Sequence, residues 1–294
     1  IAIKKCKKND LRGSSIYVTM EPCTHYGKTP PCTNQIVESK IKRVIYSSND
    51  IDKRTSKKAY SLLRSKKINV SKGLLKHESK KFYTNYFKHK KNKKPYVAAK
   101  IACSSDFFIS SKNKFITNKH SRDVSHILRY NFDSILVSSK TANADNSKLS
   151  CRINGLENFS PKRLIIDKNL KINKKSPVIT DKNKNNTIIF HSTKDKKKLR
   201  YFKLKGIRLS YTDLDSNNNI DLKKVFLKAY SFGIGSIIIE GGNTLTKSIL
   251  KDKLINEFYL FKSKNKLGSL GKNKFSNFKK IINFLKRKEN IETY

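Results

Sequence analysis

The feature that most limits the fold of this chain is an alternation. Short apolar runs rich in Val and Ile are followed repeatedly by amphipathic stretches. SIYVTM (15–20), KRVIYSSND (42–50) and INVSKG (68–73) read as strands, and helices are expected at PPCTNQIVESK (30–40), SKKAYSLLRSKK (56–67) and HESKKFYTNYFKHKK (77–91). Parallel strands need a connection long enough to hold a helix, so this order implies a largely parallel α/β layer. The aromatic stripe Phe82, Tyr83, Tyr86 and Phe87 reads as packing rather than as a platform for bases.

The pattern stops at KKNKKP (90–95), a charged, apolar-free stretch closed by Pro, and then restarts. YVAAKIACS (96–104) is a strand, with a long irregular stretch to Phe115. KHSRDVSHILRYNF (119–132) is a helix with Val124, Ile127 and Leu128 on one face. Strands are expected at DSILVSS, RLIID, TIIFH, SIIIE and EFYLFKS. An amphipathic helix is expected over 221–233, and GGNTLTKSILK turns into another. The expectation is two α/β domains, 1–90 and 96–294, joined by a linker over 91–95; at 294 residues the chain is long enough for two cores.

Charge narrows the partners. There are 66 Lys and Arg against 22 Asp and Glu, a formal net charge of +44. The basic residues are spread over the whole chain and are mostly Lys, without an Arg-rich arm. The abundance of Lys, Asn and Ile is what AT-rich codons produce. Anionic small molecules are therefore the expected ligands, and nucleic acid is not an expected partner. No apolar run reaches the length of a membrane span, and the start IAIKKCKKND lacks a signal-peptide pattern. Five cysteines, an odd number, fit reduced thiols and a cytoplasmic location better than a disulfide framework.

The chemistry begins at VTMEPCTHYGKTPPC (18–32). Cys23 and Cys32 lie on a loop between a strand and a helix, as metal ligands do. A catalytic zinc uses three protein ligands and keeps a fourth position for water, so two thiolates leave one ligand to find. Cytidine-type base deaminases supply it from an H-x-E, whose Glu moves protons without touching the metal.

From Thr19 to Cys32 the phrase resembles, nearly residue for residue, the deaminase half of the bifunctional riboflavin-biosynthesis deaminase/reductase family. The resemblance implies Cys23 and Cys32 as zinc ligands. It also implies a third ligand, the His of H-A-E, three residues before Ile1, with the proton-shuttling Glu directly before Ile1. His25 and Glu21 are the substitutes on hand, and neither matches a family ligand. The expectation is a chain that begins inside the deaminase domain; the alternative is a degenerate, inactive half.

The second part resembles the reductase half of that family, which is similar to dihydrofolate reductase in fold. KPYVAAKIACSSD carries Lys100, Ala102, Ser104 and Asp106 in family register, with Phe107 and Phe108 where the family has Gly-Lys. Downstream, Ile116, Thr117, Arg122, His126, Arg129, Thr141, Asp145, Leu149 and Arg152 match. Phe115 stands for Trp, Ser138 for Gly and Ser147 for Pro. SIIIEGGNTL matches the family's strand-to-helix turn, and EFYLFKSKNKLG lacks the usual Pro before its Gly.

The fold implied is α/β throughout, an incomplete cytidine-deaminase-like three-layer domain followed by a dihydrofolate-reductase-like domain. The activities implied are zinc-dependent deamination of a phosphorylated diaminopyrimidinone ribosylamine and NADPH-dependent reduction of its ribosyl group to a ribityl chain. This chain is expected to perform the second. Lys100 and Asp145 are the expected catalytic pair. Asn113, Arg129, Leu149, Arg152 and Glu240 are expected at the substrate, the two arginines on its phosphate. Ala102, Phe115, Thr141, Asp145, Gly242, Asn243, Thr244 and Leu245 are expected at the cofactor. A homo-oligomer through the reductase domain is implied as well. Against this stand an inactive scaffold of the same fold and a basic nucleic-acid binder.

Overall fold

A computed structural model describes residues 2–6, 11–27, 29–112 and 115–275, and the backbone of 291–293. The chain divides into two compact units, Ile1–Asn92 and Lys93–Tyr294.

The first unit opens with a short helix, α1 (Ala2–Lys5). It is built on three parallel strands in the order β1 (Ser15–Met20), β2 (Arg43–Ser48), β3 (Asn69–Lys72). Helices α2 (Cys32–Glu38) and α3 (Lys58–Ser65) connect them. Strand residues alternate between faces. Val44 and Tyr46 of β2 enter a core with Ile36 of α2, Ala59 and Leu63 of α3, and Val70 of β3. Ile45 and Ser47 point to the other face, which α4 (Lys76–Phe82) partly covers: Ser47 Oγ donates to the Leu75 carbonyl at 3.0 Å and Ser79 Oγ to the Thr19 carbonyl at 3.0 Å. The stretch expected as one helix over 77–91 is two, α4 and α5 (Thr84–Asn92), divided at Tyr83. Tyr83, the residue at the break, shares a 2.6 Å hydrogen bond between its hydroxyl and that of Thr19.

The second unit holds an eight-stranded, all-parallel sheet, in the order β13-β11-β4-β10-β6-β7-β8-β9. Its strands are β4 (Tyr96–Cys103), β6 (Ser134–Ser138), β7 (Lys162–Ile166), β8 (Thr187–His191), β9 (Arg208–Tyr211), β10 (Ser236–Ile239), β11 (Glu257–Lys262) and β13 (Ile291–Thr293). The helices are α6 (Lys119–Asn131), α7 (Ser139–Asp145), α8 (Pro177–Thr180), α9 (Lys196–Leu204), α10 (Leu222–Ser231) and α11 (Asn243–Lys251). Both faces of the sheet are covered, which is why strands such as SIII and TIIFH are buried along their whole length, with isoleucines on both faces rather than on one. Leu136, Ile237 and Ile239 pack into one core with α10 and α11; Ile135, Val137 and Ile238 pack into the other with α6.

The irregular stretch expected before Phe115 contains a strand, β5 (Phe108–Ser111), paired antiparallel with β12 (Gly271–Lys274). The turn into it is held by Asp106, which accepts Ser104 Oγ at 2.5 Å and the backbone N–H groups of Leu267 at 3.1 Å and Gly268 at 2.9 Å. The Ser104 hydroxyl first, and the amides after it, hold the Asp106 carboxyl well below the usual carboxylate range. Phe107 has φ +68°. This is the left-handed backbone that Gly adopts freely and a β-carbon disfavours by about 1–2 kcal/mol. The Gly-to-Phe departure therefore leaves a backbone in the conformation that Gly favours, occupied by a residue that strains there.

Among the described residues no helix is long and apolar enough to cross a membrane.

Candidate active site

Parallel α/β sheets present their ligands at the carboxyl ends of the strands, where helices begin. Here β10 ends in Ile239, and Glu240, Gly241 and Gly242 lead directly into α11. Glu240 meets two cations from different parts of the sheet. Arg129, on the last turn of α6, donates Nε to Oε1 at 2.7 Å and Nη2 to Oε2 at 2.9 Å. Lys100, near the end of β4, places Nζ 3.8 Å from Oε2. The three side chains are 13–15% exposed, so this is a nearly buried cluster.

Burial opposes ionisation of Glu240, but Arg129 and Lys100 overrule it and pull its pKa down to about 2. Burial likewise pushes the Lys100 ammonium down, against the attraction of Glu240, and Arg129 adds to the downward push. Asp145, at the end of α7, is exposed as a residue while its carboxyl is partly enclosed. That enclosure raises its pKa, the Glu240 charge adds to the rise, and Lys100 opposes it. Lys100, Asp145, Arg129 and Glu240 thus form one electrostatic unit drawn from four elements.

The loop after α7 meets this unit at Arg129. Leu149 is buried at φ +52°. Arg129 Nη1 donates to the Ser150 carbonyl at 3.0 Å, and Arg152 Nη2 lies 3.3 Å from His126 Nε2. An arginine has only donors, so the imidazole nitrogen accepts. Arg152 is exposed and has no acidic partner among the described residues. The expected phosphate pair is therefore unequal, since Glu240 already neutralises Arg129. The pairing spans 111 residues and no local pattern announces it.

The expected cofactor residues also meet. Gly242 is the N-cap of α11, and no side chain caps that helix, so its first N–H groups are left for a ligand. A Cβ on Gly242 would lie 3.4 Å from Thr141 Oγ1, in the first turn of α7. A Cβ on Gly241 would press on Leu245 at 3.1 Å. Asn243 donates Nδ2 to the Lys274 carbonyl at 3.1 Å, while its buried Oδ1 has no hydrogen-bond partner. A buried acceptor without a donor beside a free helix N-terminus is a cradle that suits the pyrophosphate and amide groups of a dinucleotide. Thr244 is exposed on the same turn and Ala102 is half-buried on β4. Phe115 is 58% exposed with the Arg122 guanidinium 4.3 Å from its ring centre. Asn113 lies outside the described residues.

In the first unit, Cys32 opens α2 and its N–H donates to Cys23 Sγ at 3.2 Å. Both thiols are free and reach solvent. Burial first, then the neighbouring Cys23, raises the Cys32 pKa. His25 is tied to Thr55 Oγ1 through Nδ1 at 3.0 Å. Glu21 is 4% exposed and accepts the N–H groups of Asp50, Lys57 and Ala59 at 2.9–3.2 Å, so it pins loops rather than offering an acid-base group. Among the described residues no group of three His, Cys, Asp or Glu side chains could hold a metal ion. Two thiols fit zinc by chemistry and fall short of it by number.

A parallel α/β unit with a charged cluster at a Gly-Gly turn, preceded by part of a deaminase zinc loop, defines a deaminase/reductase-type protein. Residues 95–281 match the RibD C-terminal domain, and residues 1–48 match the cytidine and deoxycytidylate deaminase zinc-binding region. The riboflavin biosynthesis protein RibD of Actinobacillus pleuropneumoniae is 30% identical over 263 residues, 88% of this chain and 69% of that one. RibD of Aquifex aeolicus is 30% identical over 253 residues, 85% of this chain and 69% of that one. The solved structure of the diaminohydroxyphosphoribosylaminopyrimidine deaminase/5-amino-6-(5-phosphoribosylamino)uracil reductase of Thermotoga maritima superposes with a TM-score of 0.76 at 28% identity, covering 94% of this chain and 75% of that one. The chain belongs to the RibD family of riboflavin-biosynthesis enzymes, whose members carry a deaminase and a reductase activity.

Proposed function

We propose that the Lys93–Tyr294 unit reduces the ribosyl group of a phosphorylated aminopyrimidine to a ribityl chain, with NADPH as reductant. The observation that carries this reading is the Lys100–Glu240–Arg129 cluster lying directly before the Gly241–Gly242 turn. A nearly buried set of two cations around one carboxylate thus adjoins a dinucleotide cradle.

When bound, NADPH supplies the hydride; the chain's work is placement and charge. Gly242, Asn243, Thr244 and Leu245, with Thr141 across the turn, hold the cofactor, and Ala102 and Phe115 flank it. Glu240 and Leu149 line the sugar. Lys100 keeps a proton-bearing nitrogen at the sugar against the pull of burial. Asp145 holds that nitrogen in line and accepts a hydrogen bond from the substrate. Arg152 and the unspent donors of Arg129 take the phosphate. The buried walls exclude water around the reacting carbon.

Cys23 and Cys32 are proposed as two of the zinc donors of the deaminase region. A hydrolytic zinc needs three, so no deamination step is derived from the described residues.

The test is NADPH oxidation by the purified chain with the deaminated, phosphorylated pyrimidine as substrate. Turnover that disappears in Asp145→Ala and Lys100→Met, with unfolding curves unchanged, supports the reading. Full turnover in both variants refutes the assigned roles, and no turnover in the parent chain refutes the activity.

A further inference from the structure

His126 is matched by the family phrase yet has no part in the mechanism above. It lies three residues before Arg129 on α6, which puts both side chains on one helix face. Both act on the same loop. Arg129 takes the Ser150 carbonyl at 3.0 Å, and His126 takes the Arg152 guanidinium at 3.3 Å. The buried Nδ1 of His126 meets no acceptor at good hydrogen-bond geometry, although the Ser150 carbonyl lies alongside it.

We propose that His126 is a positioning residue of the anion site: its Nε2 accepts from Arg152 Nη2 and so aims that exposed guanidinium at the phosphate of the substrate. The proposal rests on the reading that Arg152 and Arg129 face that phosphate. Long arginine side chains lose much rotamer freedom when they order, and an arginine held in advance binds at less cost. Arg129 is already held by Glu240 and Ser150. Arg152 has no acidic partner among the described residues, so the imidazole is what restrains it.

The imidazole can do this only while neutral, because a protonated ring has no lone pair to offer. Burial first, then the charges of Arg129 and Arg152, lower its pKa to about 4, against the pull of Glu240. These are the charged groups that face it from its own helix, from the loop and from the end of β10. Near neutral pH the ring is an acceptor. Its task differs from that of a general acid, which would need a proton on Nε2.

The experiment measures ribose 5-phosphate binding by calorimetry to the full chain and to His126→Gln, His126→Ala and His126→Leu. The Gln carbonyl stands close to where Nε2 stands, while Ala and Leu offer no acceptor. The expected result is affinity within about twofold for His126→Gln and a loss of about tenfold for both His126→Ala and His126→Leu. In turnover the same two variants raise KM for the phosphorylated substrate and leave kcat and the KM for NADPH unchanged. Equal affinities across the series overturn the proposal, as does a Gln variant as weak as Ala, or a parent chain that does not bind ribose 5-phosphate. Should His126→Ala fail to fold, Leu against Gln decides. A parent chain that binds ribose 5-phosphate but never oxidises NADPH refutes the reductase reading alone; the binding series still judges His126.

Discussion

Arg129 and Glu240, 111 positions apart, close a two-point ion pair of 2.7 and 2.9 Å at the mouth of the reductase unit, with each side chain about 13–14% exposed. Such a pair is expensive to break from one side, because the surviving charge stays nearly buried with its closest partner gone. Glu240 would keep Lys100 at 3.8 Å, and Arg129 the Ser150 carbonyl. Glu240→Ala and Arg129→Ala should each cost about 3 kcal/mol of stability, and the double variant should cost clearly less than the sum. Urea unfolding of the three variants measures it; additive losses would show that the two residues act independently.

The same pair sets an acid limit. Glu240's pKa falls on folding from 4.5 to about 2. A carboxylate with a depressed pKa contributes stability that is full above its unfolded value and is lost as pH falls through its folded value. Between about pH 4.5 and pH 2, the parent chain should therefore lose stability more steeply than Glu240→Gln. Melting temperatures across that window give the comparison, and parallel curves would show no linkage through Glu240.

At the turn, Gly242→Ala puts a methyl group 3.4 Å from Thr141 Oγ1, at the N-cap of α11. The expected effect is a rise of about tenfold in KM for NADPH, with unfolding and phosphate binding unchanged. Fluorescence titration with NADPH reads it directly, and unaltered affinity would remove the α11 N-terminus from the cofactor site.

Phe107 offers a backbone test. Both Phe107→Ala and Phe107→Gly delete the ring, which packs on the core and lies under Lys262 Nζ at 4.8 Å. Only Ala keeps the cost of φ +68°. Phe107→Gly should be the more stable of the two by about 1 kcal/mol, although both fall below the parent chain. Equal stabilities would mean that the backbone relaxes out of the left-handed region.

Chelation separates the two units. The proposed reductase chemistry uses Lys100, Asp145 and Arg152 and no metal, so exhaustive EDTA treatment should leave NADPH oxidation unchanged. Loss of turnover that zinc restores would contradict the metal-free roles given to Lys100, Asp145 and Arg152.

The sequence made much of this legible because its strands are strongly apolar and its motifs are local. TIIFH coincides with β8, and the Cys23–Cys32 loop and the Gly-Gly turn lie between a strand and a helix as expected. What stayed hidden has physical causes. KKKLRYFKL is helix α9, yet Phe202 is its one buried residue and its Lys-rich surface masks the period. SKTANAD, now α7, is short and polar, and is held as a helix by the Ser138 cap and by Ala142 in the core. β5 is half-buried and pairs with a strand more than 150 residues away. Within the site, residue types were readable but their pairing was not. Arg129 reads as a free phosphate grip until Glu240 is seen to hold it, and His126 reads as a helix residue until Arg152 is placed beside it.

The β5–β12 pair carries a consequence for how this chain can change over time. A Cβ on Gly271 would overlap the Phe108 ring, closest at its Cγ, because that ring lies on the glycine backbone. Phe108 itself stands where the reductase phrase that this segment resembles has Lys. With the Phe108 ring in this place a side chain at Gly271 does not fit, so geometry favours one order of substitutions. A mutational path that begins with Phe108→Lys, back toward the family pattern, opens position 271. A path that first enlarges Gly271 has to displace the Phe108 ring.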